Sequence, residues 1–185
     1  MKKIEAIAHR ITETTYLNEQ QFLREETISP HVVGTCLQEL RHLFYDTLED
    51  FYDIMEALAT AHRLLGDTDE AIYYTEKKLA ACAPHTVMYT KTLLQQAEVY
   101  QHAQQYEHAL YLLSKAQDNI TKYGHAECEI TLYKHFALAY WAVGELDYVK
   151  RYADQILHIA TTSEQRAMTK AVEQLLSKFA FAHVG

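Results

Sequence analysis

Eleven histidines, three cysteines and 25 carboxylates are enough to build a metal or acid–base site if the spacing brings them together. The compact patterns that do so, HExxH and CxxC, are absent, and no metal site is expected. His102 and His108 fall on either side of an expected turn and so share no helical face. His62 and His135 lie where helices should cross, which suits hydrogen-bonded core histidines better than ligands. Asp53 and Glu56 have the i,i+3 spacing of a carboxylate pair on one helix, but no histidine accompanies them to complete a catalytic set. The scattered glycines form no GxxxxGK[ST], GxGxxG or GxSxG loop, so neither phosphate cradling nor a nucleophile elbow is available. The chain is expected to be non-catalytic and to need no cofactor.

Composition narrows the class further. Five glycines and two prolines in 185 residues leave few places for sharp turns, which favours long helices and an all-α fold. A net charge of −8 argues against a general nucleic-acid or acidic-membrane binder, since phosphate contacts need clustered Lys and Arg. Cys36, Cys82 and Cys128 are odd in number and widely spaced, as expected for buried thiols in a reducing, cytoplasmic setting. Glu5, His9, Arg10 and Glu13 interrupt the first apolar stretch, so no secretory signal is expected. No run approaches the roughly 18 apolar residues of a membrane span.

The elements follow from spacing. Ile4, Ile7, Ala8 and Ile11 make the stripe of a short N-terminal helix. Asn18 with Gln21 reads as a capping box opening a second short helix through Phe22 and Leu23, and Ser29-Pro30 starts a third. Between Val33 and Leu65 there is no proline, and from Val33 to Leu58 apolar residues keep steps of four and three. That predicts one long helix or two broken near Asp46-Thr47, the break being favoured. The acidic run Glu39, Asp46, Glu49, Asp50, Asp53 and Glu56 is either a solvated helix face or a site for a basic partner or a cation. Asp67 with Glu70 has capping-box spacing for the helix through Ala81, Pro84-His85-Thr86 ends one helix and caps the next, and Gly124 reads as a left-handed terminator. Thr162 with Gln165 precedes a last helix whose stripe includes Ala167, Met168, Ala171, Leu175 and Phe179.

Leu58, Ala59, His62, Gly66, Ala71, Leu79 and Pro84 form a helix–turn–helix mould that recurs downstream. Its second copy carries Leu93, Ala97, Tyr100, Tyr106, Ala109, Leu113 and Ala116; its third carries Tyr133, Phe136, Ala137, Tyr140, Gly144, Tyr148, Ala153 and Ile156. The pattern resembles the tetratricopeptide repeat, with two departures: Gln104 stands where glycine is usual, and Val149 replaces the small residue of the tightest crossing. The copies are also spaced more widely than the family's roughly 34 residues. The resemblance implies an α-solenoid of antiparallel helix pairs, a right-handed superhelix capped at both ends. The chain then divides into N-terminal helices or a degenerate repeat at 1–47, repeats at 48–84, 85–124 and 125–161, and a capping helix at 162–185.

In that family the first helix of each pair lines a concave groove. Carried over, the groove positions are Asp53, Glu56, Thr60 and Arg63 in the first repeat and Lys91, Leu94, Glu98, Gln101 and His102 in the second. The third contributes Thr131, Lys134, Leu138 and Trp141. Glu56 and Thr60 stand where chaperone-binding members carry the lysine and asparagine that clamp a terminal carboxylate, so that clamp is absent. Two roles stay open for Trp141, an aromatic anchor for an extended peptide or a packing residue against the last helix. The resemblance implies an adaptor or scaffold that binds a protein segment or peptide. The alternative is a peptide-sensing regulator, or its sensor half, of the kind found in Gram-positive bacteria, without the helix-turn-helix that binds DNA. Phe179, Phe181 and Val184 at the end of the array suggest a homodimer through the C-terminal helix.

Overall fold

Thr47 divides the long apolar run into two helices. Its backbone is extended, and its Oγ1 accepts the Asp50 N–H at 3.0 Å while donating to Asp50 Oδ2 at 2.7 Å, a closed N-cap. The favoured break is therefore present, with α2 at Pro30–Arg41 and α3 at Leu48–Leu65. The computed structural model describes residues 3–159, 170–175 and 177. Within them α1 (Lys3–Glu13) precedes a two-stranded hairpin, and α4 (Thr68–Ala81), α5 (Val87–His102), α6 (Tyr106–Tyr123), α7 (Glu129–Ala142) and α8 (Leu146–Ile159) follow α3. Residues 170–175 are helical too, so the described chain is predominantly α-helical.

Tight turns join α3 to α4, α5 to α6 and α7 to α8, and each needs a residue in the left-handed region. Gly66 at φ 83° and Gly144 at φ 81° supply it without a Cβ penalty. At the α5–α6 turn Gln104 takes the same conformation at φ 61°, which costs a non-glycine residue about 1 kcal/mol. Thr86 caps α5 as expected, accepting the Tyr89 N–H at 3.2 Å. Asp67 does not cap α4 as the spacing predicts. Its Oδ2 lies 3.2 Å from Nδ1 of the buried His62, which competes for the carboxylate more strongly than a solvent-facing N–H.

Each helix packs on the next from α1 to α8, and α1–α3 and α5–α7 also touch directly. Ala71 and Ala109 are fully buried, where a larger side chain would push the backbones apart; Val149 is buried too, showing that this site tolerates a branched residue. One apolar cluster joins α1, α2 and α3, and a second joins α5, α6 and α7 around Leu93, Leu113 and Phe136. A third surrounds Val149, Ala153 and Ile156 of α8 and includes Val172 and Leu175 from the C-terminal helical segment. Tyrosines make the α7–α8 seam: Phe136 stacks on Tyr152 at 4.7 Å and Tyr140 on Tyr148 at 4.5 Å. Thr162, Gln165, Ala167, Met168, Phe179, Phe181 and Val184, with the dimer contact expected of that tail, lie outside the described residues.

The second short helix expected at Asn18 is instead a hairpin. Strand β1 (Thr15–Asn18) pairs antiparallel with β2 (Arg24–Thr27) across a single 3-10 turn at Glu19–Gln21. Asn18 does cap that turn, accepting the Gln20 N–H at 3.0 Å. Helix growth then stops because Phe22 and Leu23 are both left-handed, at φ 48° and 61°, and the Leu23 N–H returns to the Asn18 carbonyl at 2.9 Å. Two such residues in succession cost about 2–4 kcal/mol, offset by burying both side chains completely, worth about 1.5–3 kcal/mol each. The hairpin thus sits between α1 and α2, and these two helices, packed on each other, form the leading pair.

Candidate functional site

The hairpin tip reaches the side of the molecule built by α3, α5 and α7. Phe22 and Leu23 join the cluster of Ile130, Ala137 and Leu138 on α7, and the Phe22 ring lies 6.1 Å from Trp141. From β2, Glu25 Oε2 accepts from Arg63 Nη2 on α3 at 3.0 Å, and Glu25 Oε1 lies 3.9 Å from Lys134 Nζ on α7. Arg63 Nη1 is also 3.4 Å from Glu98 Oε1 on α5. Arg63 and Lys134 are almost wholly buried, so removing their acidic partners would strand two cations away from water. The Arg63 Nε atom and the Gln95 Oε1 atom are buried with no hydrogen-bond partner among the described residues.

Beside Glu25 a cavity of 320 Å³ remains open, with Lys91, Gln95, Glu98, Thr131 and His135 among its lining. Gln95 ties its floor to the neighbouring pair, donating to Glu56 O at 3.0 Å and Thr60 Oγ1 at 3.3 Å. Cys128 also lines it, and burial together with nearby Glu127 pushes its thiol up to about 11, so it stays protonated and unreactive at neutral pH. A second cavity, of 330 Å³, lies between α1 and α3, where Asp53 and Glu56 meet the apolar Ile4, Ala8 and Ile11.

Nine of the thirteen expected groove positions divide accordingly. Arg63, Glu98, Lys134 and Trp141 gather under the hairpin, and His102 lies near enough for Arg63 and Arg24 to act on it. Burial first, then those two cations, hold the His102 ring below its ordinary pKa. Lys91 is exposed at the cavity rim. Gln101 is fully buried, donating from Nε2 to the His135 carbonyl at 2.7 Å and accepting at Oε1 from His135 Nδ1 at 2.8 Å. That pair joins α5 to α7, and burial, followed by the Lys134 charge, lowers the His135 pKa to about 3. Glu56 is the counterion of the buried Lys78 on α4 and also lines the cavity beside Glu25, and Asp53 turns toward α1.

The acidic run is likewise partly consumed, since Glu39 pairs with Arg10 at 2.7 Å and Asp50 with the Thr47 cap. His62 and His135 are hydrogen-bonded core residues, and Cys36, Cys82 and Cys128 are free and buried. Among the described residues no three His, Cys, Asp or Glu side chains converge as a metal site would require, and no helix is long and apolar enough to cross a membrane. The residues missed by sequence reasoning are Phe22, Leu23, Glu25 and Gln95. An adjacent apolar pair inside the polar stretch Asn18–Thr27 was the available signal. No family model, curated protein or solved structure matches the chain.

Proposed function

We propose that this chain is a non-catalytic adaptor of tetratricopeptide-like build that binds a protein segment or peptide along the side made by α3, α5 and α7. The pairing of α3 with α4, α5 with α6 and α7 with α8 through left-handed turns supports three repeats in a right-handed superhelix. In that reading α1, α2 and the segment at 170–175 close its ends, and the three buried free thiols suit a reducing compartment. The observation that carries the binding role is that this side already holds a stretch of polypeptide, with an aromatic residue on Trp141 and a carboxylate on Arg63 and Lys134. Aromatic anchoring plus a buried cation for a carboxylate is chemistry that gives a peptide both affinity and register.

The test uses the intact chain as bait, with captured partners measured by calorimetry against Lys91→Glu. Lys91 is exposed and lines the cavity, so reversing its charge changes the site with little effect on folding. A partner of this side should bind the variant at least tenfold more weakly. Unchanged affinity would move the binding surface elsewhere.

A further inference from the structure

We infer that residues 14–28 are an intramolecular ligand of the α3–α5–α7 side, displaced by a partner segment that presents the same chemistry: two adjacent large apolar residues, then a carboxylate two positions on. This rests on the reading that this side binds protein segments, and it names what such a segment must carry. Three observations lead to it.

The hairpin's backbone bonds are largely its own. β1 pairs with β2 over Thr15↔Thr27 to Asn18↔Arg24, and Ile28 N–H closes the base on Thr14 O at 2.9 Å. Lifting it away would therefore leave the hydrogen-bond ladders of α1 and α2 intact. Its hold on the helices is instead through side chains, the Phe22–Leu23 plug against α7 and the Glu25 carboxylate against Arg63 and Lys134. A replacement that supplies those groups forfeits little.

The plug is also held in an uncommon backbone state. Phe22 and Leu23 are left-handed in succession, a conformation a free chain leaves readily and a partner's extended segment need not adopt. Finally, the cations beneath are built for a carboxylate. Arg63 and Lys134 are 2% and 6% exposed, on different helices, and both lie within 4 Å of Glu25. Once the hairpin leaves, Arg63 keeps its pairing with Glu98 while Lys134 loses its carboxylate, so a segment that brings a carboxylate restores what is lost.

The test uses a fluorescent synthetic peptide of residues 14–28 and three full-length proteins: wild type, Glu25→Lys, and the Phe22→Ser/Leu23→Ser double variant. Glu25→Lys places a third cation beside Arg63 and Lys134 and so expels the hairpin, while the surface below keeps its native residues. Anisotropy should show the peptide binding both variants at least tenfold more tightly than wild type, whose tethered hairpin competes at high effective concentration. A peptide carrying Glu25→Lys should not bind. Equal affinity for all three proteins, or no binding to variants with native circular dichroism, would overturn the inference; so would unfolding of both variants, because the hairpin would then be integral to the core. A foreign segment that depends on Lys91 while the 14–28 peptide binds neither variant would leave the binding surface standing and remove the hairpin as its ligand. Peptide binding to Glu25→Lys with no foreign segment captured would have the opposite meaning.

Discussion

Replacing Gln101 with Leu should destabilise the protein by about 2–3 kcal/mol without touching any exposed surface. The side chain is fully buried, and its Nε2 donates to the His135 carbonyl, so its Oε1 is the acceptor that faces His135 Nδ1 at 2.8 Å. That fixes His135 as the neutral tautomer with the proton on Nδ1. Leucine is close in size and leaves no large cavity, but it orphans the Nδ1–H in a site closed to water, at a cost of about 1–3 kcal/mol. The carbonyl loses one bond and keeps its place in the α7 ladder, adding about 0.5–1 kcal/mol, while the apolar gain of leucine offsets part of the total. For a chain of this size the loss corresponds to a fall in Tm of about 5–10 °C. Urea unfolding followed by circular dichroism measures it, and a cycle with His135→Ala should show that the double variant costs little more than either single one. A change below about 0.5 kcal/mol would refute the α5–α7 coupling and return Gln101 to the role the sequence suggested, contact with a partner.

Three further outcomes are expected. Gln104→Gly relieves the left-handed turn at φ 61° and should raise stability by up to about 1 kcal/mol in the same assay, whereas Gly66→Gln at the equivalent turn should lower it by a similar amount. His135, held near pKa 3 when folded, takes up a proton on unfolding below its ordinary value of about 6.5. Its contribution is therefore complete above pH 6.5 and lost as pH falls toward 3, with a slope approaching about 1.4 kcal/mol per pH unit. The depressed His102 acts in the same direction, and His135→Gln should flatten the profile between pH 6 and 4, as stability curves at several pH values will show. Glu56→Gln strips the counterion from buried Lys78 and should cost about 1–2 kcal/mol, the lower part of the usual range because Glu56 is itself largely exposed. In a Lys78→Met background the same change should be nearly silent, and an equal loss there would refute the pairing.

Much of the helical fold was legible because its determinants are local. Thr47 caps with a residue three positions on, Gly66, Gly124 and Gly144 end helices by their own backbone freedom, and Ala71 and Ala109 mark crossings by size alone. The hairpin was not legible for the opposite reason. Asn18 and Gln21 make a sound helix start, and whether Phe22 continues that helix depends on an apolar cluster on α7, far along the chain. Side-chain partners were less legible. Arg63, Glu98, Lys134 and Trp141 converge because they share the inward side of α3, α5 and α7. For Gln101 and Glu56 side-chain pairing decides: Gln101 found His135 across α5 and α7, and Glu56, which also lines the cavity beside Glu25, found Lys78 on α4. Periodicity places a residue on a side but does not reveal such partners.

The fluorescence of Trp141 tests the central claim most directly, because it is the chain's single tryptophan and lies against Phe22 where the hairpin meets α7. In the wild-type protein its emission should be blue-shifted and poorly quenched by acrylamide. In Glu25→Lys it should shift to the red and quench at least twofold more readily, and titration with the 14–28 peptide should restore the wild-type spectrum saturably. Wild-type and Glu25→Lys spectra that coincide, and stay unmoved by the peptide, would contradict the claim that this side of the molecule is a surface for exchangeable polypeptide segments.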